Sequence, residues 1–144
     1  MSFYSKPTKQ AILILTHIAD WRNERFYTVR DVSMMTGVSD PTATKVLQML
    51  AKDGLVESRK GPGGGFRLAL PPEEVKIFRV VTAMEGGEPF SDCIGGLENC
   101  SEANPCPLHE DWKKVKKPLI RFLEETSLLD ILSAARRMGR IGVS

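Results

Sequence analysis

The stretch from Thr28 to Leu70, TVRDVSMMTGVSDPTATKVLQMLAKDGLVESRKGPGGGFRLAL, decides the fold. Thr28 with Asp31 three residues on is an N-capping pattern, in which each side chain can satisfy the other's free backbone N–H. It opens a short helix through Met35 that Gly37 ends, since glycine enters a left-handed cap without strain. Ser39 or Asp40 caps a second helix, and Pro41 suits its first turn. Val46, Leu47 and Leu50 give that helix its buried face, and Gly54 stops it. Leu55 to Ser58 reads as a strand, Gly61-Pro62-Gly63-Gly64-Gly65 as a turn, and Phe66 to Leu70 as the returning strand. Helix, tight turn, helix and glycine-tipped hairpin make a winged helix-turn-helix.

Upstream, Ala11, Ile12, Leu15, Ile18 and Ala19 follow helical spacing and predict a helix from Thr8 to Trp21. Downstream, Pro71-Pro72 closes the winged unit, and a helix from about Lys76 to Glu85 turns Val80, Val81 and Met84 inward. Residues 85 to 111 then hold seven acids, four glycines and three prolines without a lysine or arginine, which predicts a long irregular loop. A loop of that length inside a small domain is usually functional or disordered. From Pro107 helical spacing resumes, with Val115, Leu119, Phe122 and Leu123 on one face among Lys113, Lys114, Lys116, Lys117 and Arg121. Ser127 with Asp130 opens a last short helix of Leu128, Ile131 and Leu132. The fold class is therefore mainly α with a small β-hairpin.

At 144 residues the chain is long enough for one domain, or one domain plus an oligomerisation arm. Its formal net charge of +2 is too small to identify a polyanion partner, so the positions of the charges must carry that case. The apolar run Ala11 to Leu15 is too short for a signal-peptide core, and no run suffices for a membrane helix, so a cytoplasmic protein without a membrane partner is expected. In a reducing compartment three cysteines confined to residues 93 to 106 read as metal or redox chemistry before a structural disulfide.

Two motifs carry function. The N-terminal turns of a recognition helix enter the major groove, which here selects Ser39, Asp40, Thr42, Ala43, Thr44 and Lys45, with Thr28 at the start of the preceding helix as a further DNA contact. In the hairpin, Arg59 and Lys60 lead into Gly61, Gly63, Gly64 and Gly65, and Arg67 follows. A tip without side chains can lie against a sugar–phosphate backbone while the flanking cations neutralise phosphates. A nucleotide-binding glycine loop would need a helix directly after the glycines, whereas Phe66-Arg67-Leu68 reads as strand.

The second motif is Cys93, Cys100 and Cys106, with His109 three residues after the last. Thiolates suit iron–sulfur clusters, zinc or copper(I), and three thiolates with one imidazole close a four-ligand set. Structural zinc sites usually begin with two cysteines two to four residues apart, so the wider spacing here favours an iron–sulfur cluster over zinc. His17, on an apolar helix without partners nearby in sequence, reads as structural.

Gly54-Leu55-Val56, Lys60-Gly61-Pro62-Gly63-Gly64-Gly65-Phe66 and the three-cysteine loop together resemble the IscR/NsrR (Rrf-type) family of bacterial winged helix-turn-helix regulators, over nearly the whole chain from Ser5 to about Leu132. The resemblance implies a homodimer joined by the helix after the cysteines, palindromic double-stranded promoter DNA as target, and a [2Fe-2S] or [4Fe-4S] cluster on the three cysteines. Cys106-Pro107-Leu108-His109 with Trp112 is similar to the cluster-biogenesis branch, which implies His109 as fourth ligand. The implied organisation is a winged helix-turn-helix DNA-binding domain at 1–84, a cluster-binding loop at 85–109, dimerisation helices at 110–138 and a tail at 139–144. Three features depart from the family pattern: a first cysteine spacing one residue longer than usual, Pro118 inside the dimer helix, and Asp40-Pro41-Thr42 in the recognition helix.

The expected activity is transcription regulation in which cluster state sets DNA affinity. Zinc or a thiol–disulfide switch on the same cysteines, or a cofactor-free regulator, are the alternatives. A cysteine-nucleophile enzyme with His109 as base is disfavoured, because nothing in the sequence supplies a substrate pocket or oxyanion site.

Overall fold

The computed structural model describes residues 4–20 and 25–140. The end of the first helix at Trp21 and the last four residues of the tail lie outside the described residues. Among the described residues six α-helices and one hairpin follow in the order α1 (Lys6–Asp20), α2 (Val29–Thr36), α3 (Asp40–Lys52), β1 (Val56–Arg59), β2 (Gly65–Leu68), α4 (Ile77–Glu85), α5 (His109–Glu125) and α6 (Leu128–Arg137), with a 3-10 turn at Pro72–Glu74 before α4. The mainly α class with a small antiparallel hairpin is borne out. Helix α1 begins two residues before the Thr8 expected, because Pro7 is pre-set for a first helical turn.

Both capping boxes form: Thr28 and Asp31 at α2, Ser127 and Asp130 at α6, each with its two reciprocal backbone–side-chain hydrogen bonds. Gly37 ends α2 at φ 78°. Ser39 sits at the start of α3 without capping it; its hydroxyl donates instead to Thr42 Oγ1 at 3.0 Å. Strand β1 lies one residue later than the Leu55 to Ser58 expected, and β2 starts one residue earlier and ends two earlier than Phe66 to Leu70, with Val56 paired to Leu68 through Arg59 to Gly65.

One core joins these elements. Ile14 and Leu15 of α1, Val32 of α2, Val46, Leu47 and Leu50 of α3, Leu55, Val80 of α4 and Leu128 of α6 pack in it, all buried. A satellite cluster of Ile77, Val81 and Leu123 fastens α5 to α4. Helix α4 is the hub. Its first amide, on Ile77, donates to Thr126 O at 2.9 Å, and Leu128 N donates to Val75 O at 2.8 Å, so the α5–α6 turn is stitched to the start of α4. Within its first turn, Arg79 donates to Asp53 O at 2.7 Å at the end of α3. At its last residue, Glu85 Oε1 accepts from Ser5 N at 2.6 Å and from the buried Thr8 hydroxyl at 2.8 Å.

Helix α5 runs unbroken through Pro118. Proline removes the amide that would bond the Lys114 carbonyl, but Lys114 is exposed, where water can take that place. Of the apolar residues expected to share one face of α5, only Leu123 is buried; Val115 and Phe122 are 55% and 63% exposed. No helix among the described residues is long and apolar enough to cross a membrane.

Candidate functional site

The wing is docked by a backbone pair outside the hairpin itself. Tyr27 and Phe66 exchange two hydrogen bonds of 2.7 Å, adding a one-residue third strand before α2. Gly65 makes this possible. A Cβ there would stand 2.2 Å from Tyr27 O, and its φ of 134° disfavours other residues. Gly64 is likewise packed, since a Cβ would lie 2.2 Å from Arg59 O. Only Gly61 and Gly63, at φ 87° and 74° with open space around them, form the exposed tip. Gly64 is buried and Gly65 half-buried, so these two close and seat the hairpin, and the exposed tip is narrower than the four glycines expected to offer backbone to DNA.

Arg59 and Arg67 converge on the ring of Phe26, with guanidinium carbons 4.4 and 4.5 Å from its centroid, while Arg67 also pairs with Glu57 at 3.1 Å. A shared aromatic platform holds two like charges side by side on the wing. Phe26 has no motif around it, and sequence reasoning missed it. Lys60 is exposed at the edge of the tip.

On α3, Thr42 and Thr44 are half-buried and Lys45 is exposed, whereas Ala43 is fully buried in the core. Ala43 is corrected as a DNA contact, because a methyl group with no exposed surface cannot reach a base. Ser39 is exposed, as is Thr28. Asp40 is engaged at 3.8 Å by Arg30 of α2, which offsets its charge at the start of the helix. Thr44 Oγ1 donates to Asp40 O at 2.8 Å, leaving its oxygen lone pairs free to accept.

The second site lies between α4 and α5. The loop leaves α4 at Gly86 and is anchored by Phe90, at φ 60°, whose ring meets Trp112 of α5 edge-on at 6.2 Å. It gathers the sulfurs of Cys93, Cys100 and Cys106 within 4.8 Å of one another. Cys93 and Cys106 Sγ are 3.4 Å apart, and Cys100 Sγ is 3.3 Å from His109 Nδ1. His109 is the first residue of α5, so the helix fixes its backbone relative to the loop. Cys106 is buried, and Cys93 and Cys100 are half-buried. His17 stands apart, its ring nitrogen 2.9 Å from Leu13 O.

The Leu97 amide, aided by the Cys106 thiol and the Gly95 amide against desolvation, pulls the Cys93 thiol down to about 7. At Cys100 the Cys106 amide favours the thiolate, but desolvation and the adjoining Cys93 and Cys106 sulfurs outweigh it and push the thiol up. Three thiols this close cannot all ionise without a cation among them, which is what a metal group supplies. The donor set fits such a group, being soft and partly screened from water. Gly95 fits it too: a Cβ there would stand 3.5 Å from Cys106 Sγ and 3.6 Å from Cys93 Sγ, occupying the space beside both sulfurs.

The Rrf2 family profile, described as an iron-dependent transcriptional regulator, matches residues 4–134. The chain is 32% identical over 127 residues to the HTH-type transcriptional regulator NsrR of Halalkalibacterium halodurans, covering 88% of this chain and 87% of that one. It is 29% identical over 124 residues to the HTH-type transcriptional regulator IscR of Aliivibrio salmonicida, covering 86% and 73%. Among solved structures, CymR, the global cysteine regulator of B. subtilis, superposes with a TM-score of 0.76 at 22% identity, over 93% of this chain and 98% of that one.

Proposed function

This chain belongs to the Rrf2 family of DNA-binding transcriptional regulators rather than to any enzyme class, and from that premise we propose that it is a dimeric regulator whose promoter affinity is set by an iron–sulfur cluster on Cys93, Cys100, Cys106 and His109. The observation that carries this reading is the convergence of three sulfurs within 4.8 Å beside an imidazole, in a loop wedged between the hub helix and α5. When bound, the cluster supplies a cross-link that oxidation or iron loss removes.

The chain's own residues would pass that change on. The loop begins at Glu85, which holds the start of α1, and α4 grips the end of α3 through Arg79. Ser39, Thr42, Thr44 and Lys45 would meet the major groove, while Arg59, Lys60, Arg67 and the Gly61–Gly63 tip meet phosphates. Dimerisation through α5 is supported by its exposed Val115 and Phe122, with the half-buried Leu119 between them. Two recognition helices would then be set at the half-site spacing of about one helical turn. The seven acids of residues 85–111 suit a loop turned away from DNA, and action on promoter DNA implies the cytoplasm.

A second reading keeps the DNA binding and replaces the cluster with a thiol–disulfide switch, favoured by the 3.4 Å between Cys93 and Cys106 Sγ. One experiment separates them. Protein purified without oxygen should be coloured and carry near-equal iron and acid-labile sulfide, both abolished in Cys93→Ala, Cys100→Ala and Cys106→Ala. A colourless protein that takes up no iron on reconstitution, yet forms a Cys93–Cys106 disulfide under mild oxidant, would favour the switch.

A further inference from the structure

The imidazole of His109 has two nitrogens and the fold gives each a different neighbour. Nδ1 is 3.3 Å from Cys100 Sγ, on the sulfur side. Nε2 is shielded from solvent, makes no well-aligned hydrogen bond, and lies 3.4 Å from Glu102 Oε1. That oxygen is in turn held by Lys113 Nζ at 2.5 Å, one turn along α5 from His109. Imidazole, carboxylate and ammonium thus form a chain of contacts built from the cysteine loop and the first turns of α5.

A metal-bound histidine usually donates its remaining ring N–H to a carboxylate, which fixes tautomer and ring orientation and raises ligand basicity. We propose that Glu102, pinned by Lys113, is the positioning residue of this site, holding the Nε2–H of His109 so that Nδ1 is the nitrogen presented to the group on Cys93, Cys100 and Cys106. The inference rests on the reading of His109 as a ligand and deepens it. Glu110 is the competing acceptor, since one of its carboxylate oxygens lies within 4.8 Å of ligand atoms of His109 and Glu102. It follows His109 on α5 and is fixed by the helix, whereas Glu102 comes from the loop that carries the cysteines. Glu102 therefore ties ring orientation to loop conformation, which Glu110 cannot do.

The test uses the full-length protein, reconstituted without oxygen and reduced to its paramagnetic state, with histidine 15N-labelled at Nδ1 or at Nε2. The chain has two histidines, His17 and His109, so a His17→Gln background leaves one signal. Pulsed EPR should show strong coupling to Nδ1 of His109 and weak coupling to Nε2. Glu102→Ala should lose or broaden that coupling and release iron to a chelator about tenfold to a hundredfold faster. Glu102→Gln, which keeps a carbonyl acceptor, should restore the coupling, and Glu110→Gln should leave it unchanged. Strong coupling to Nε2, or a Glu102→Ala protein with unaltered coupling and release rate, would overturn the proposal while leaving His109 a ligand. Weak coupling at both nitrogens in a coloured protein would instead remove His109 from the ligand set, and the proposal with it.

Discussion

Gly65→Ala is the sharpest test of how the wing is held. Its Cβ would stand 2.2 Å from Tyr27 O and 2.6 Å from Tyr27 C, both backbone atoms that cannot rotate aside. Relief requires the hairpin and the Tyr27 segment to part by about 1 Å, given the ordinary 3.5–4 Å spacing of non-bonded carbon atoms. That breaks the two 2.7 Å hydrogen bonds between Tyr27 and Phe66, a loss of about 1–3 kcal/mol together. Strain at φ 134° adds about 1–3 kcal/mol. The sum, near 4 kcal/mol, is a large share of the roughly 5–15 kcal/mol a domain possesses. Gly63→Ala is the matched control: it has a positive φ but open space, so it should cost only about 1–2 kcal/mol. With a urea slope of about 2 kcal/mol per molar, Gly65→Ala should lower the unfolding midpoint by about 2 M and Gly63→Ala by less than about 1 M. Fluorescence anisotropy on an operator fragment should show that Gly65→Ala loses DNA binding even where it is still folded, because Arg59 and Arg67 lose their place on Phe26. Equal midpoints for the two variants would refute this account of the wing.

Three further outcomes are expected. On α3, Ala43→Leu should destabilise by about 1–3 kcal/mol through overpacking, whereas Lys45→Ala should weaken DNA binding and flatten its salt dependence at unchanged stability; salt titrations and urea melts separate the two. Phe122→Glu on the exposed face of α5 should convert dimer to monomer in sedimentation velocity, and an unchanged sedimentation coefficient would rule that face out. The Ser5 amide, with the Thr8 hydroxyl, holds the Glu85 carboxyl below its ordinary 4.5. Its contribution is therefore present above pH 4.5 and lost as pH falls through the lower folded value. Glu85→Gln should be less stable by about 1 kcal/mol at pH 7 and lose less stability between pH 5 and 3, measured by urea melts across that range.

Much of this was readable from sequence because its causes are local. The capping boxes at Thr28 and Ser127 and the glycine cap at Gly37 depend on residues within one turn, and each formed as its spacing indicated. Ala43 was also legible and was misread. It stands three and four residues before Val46 and Leu47, on the stripe that had already been assigned to the core. A glycine run does not reveal which members face other backbone: Gly64 packs against Arg59 O within the hairpin, and Gly65 against Tyr27 O from far earlier in the chain. Phe26 beneath two arginines, Glu85 against Ser5, and Glu102 between His109 and Lys113 depend on tertiary contacts that no periodicity encodes. The cysteine loop lies between these extremes. Residue type and order named its members, while their approach to within 4.8 Å is a property of the fold.

The central claim is that the state of the cysteine site sets DNA affinity. The most direct measurement compares cluster-loaded and apo wild-type protein on one operator selected from genomic fragments, by anisotropy under anaerobic conditions at a single fixed salt concentration. Coupling of about 1–3 kcal/mol predicts dissociation constants differing by about 5- to 150-fold, with Cys93→Ala matching the apo protein. Equal dissociation constants for the loaded and apo forms would contradict the account, leaving a DNA-binding protein whose cluster serves some other end.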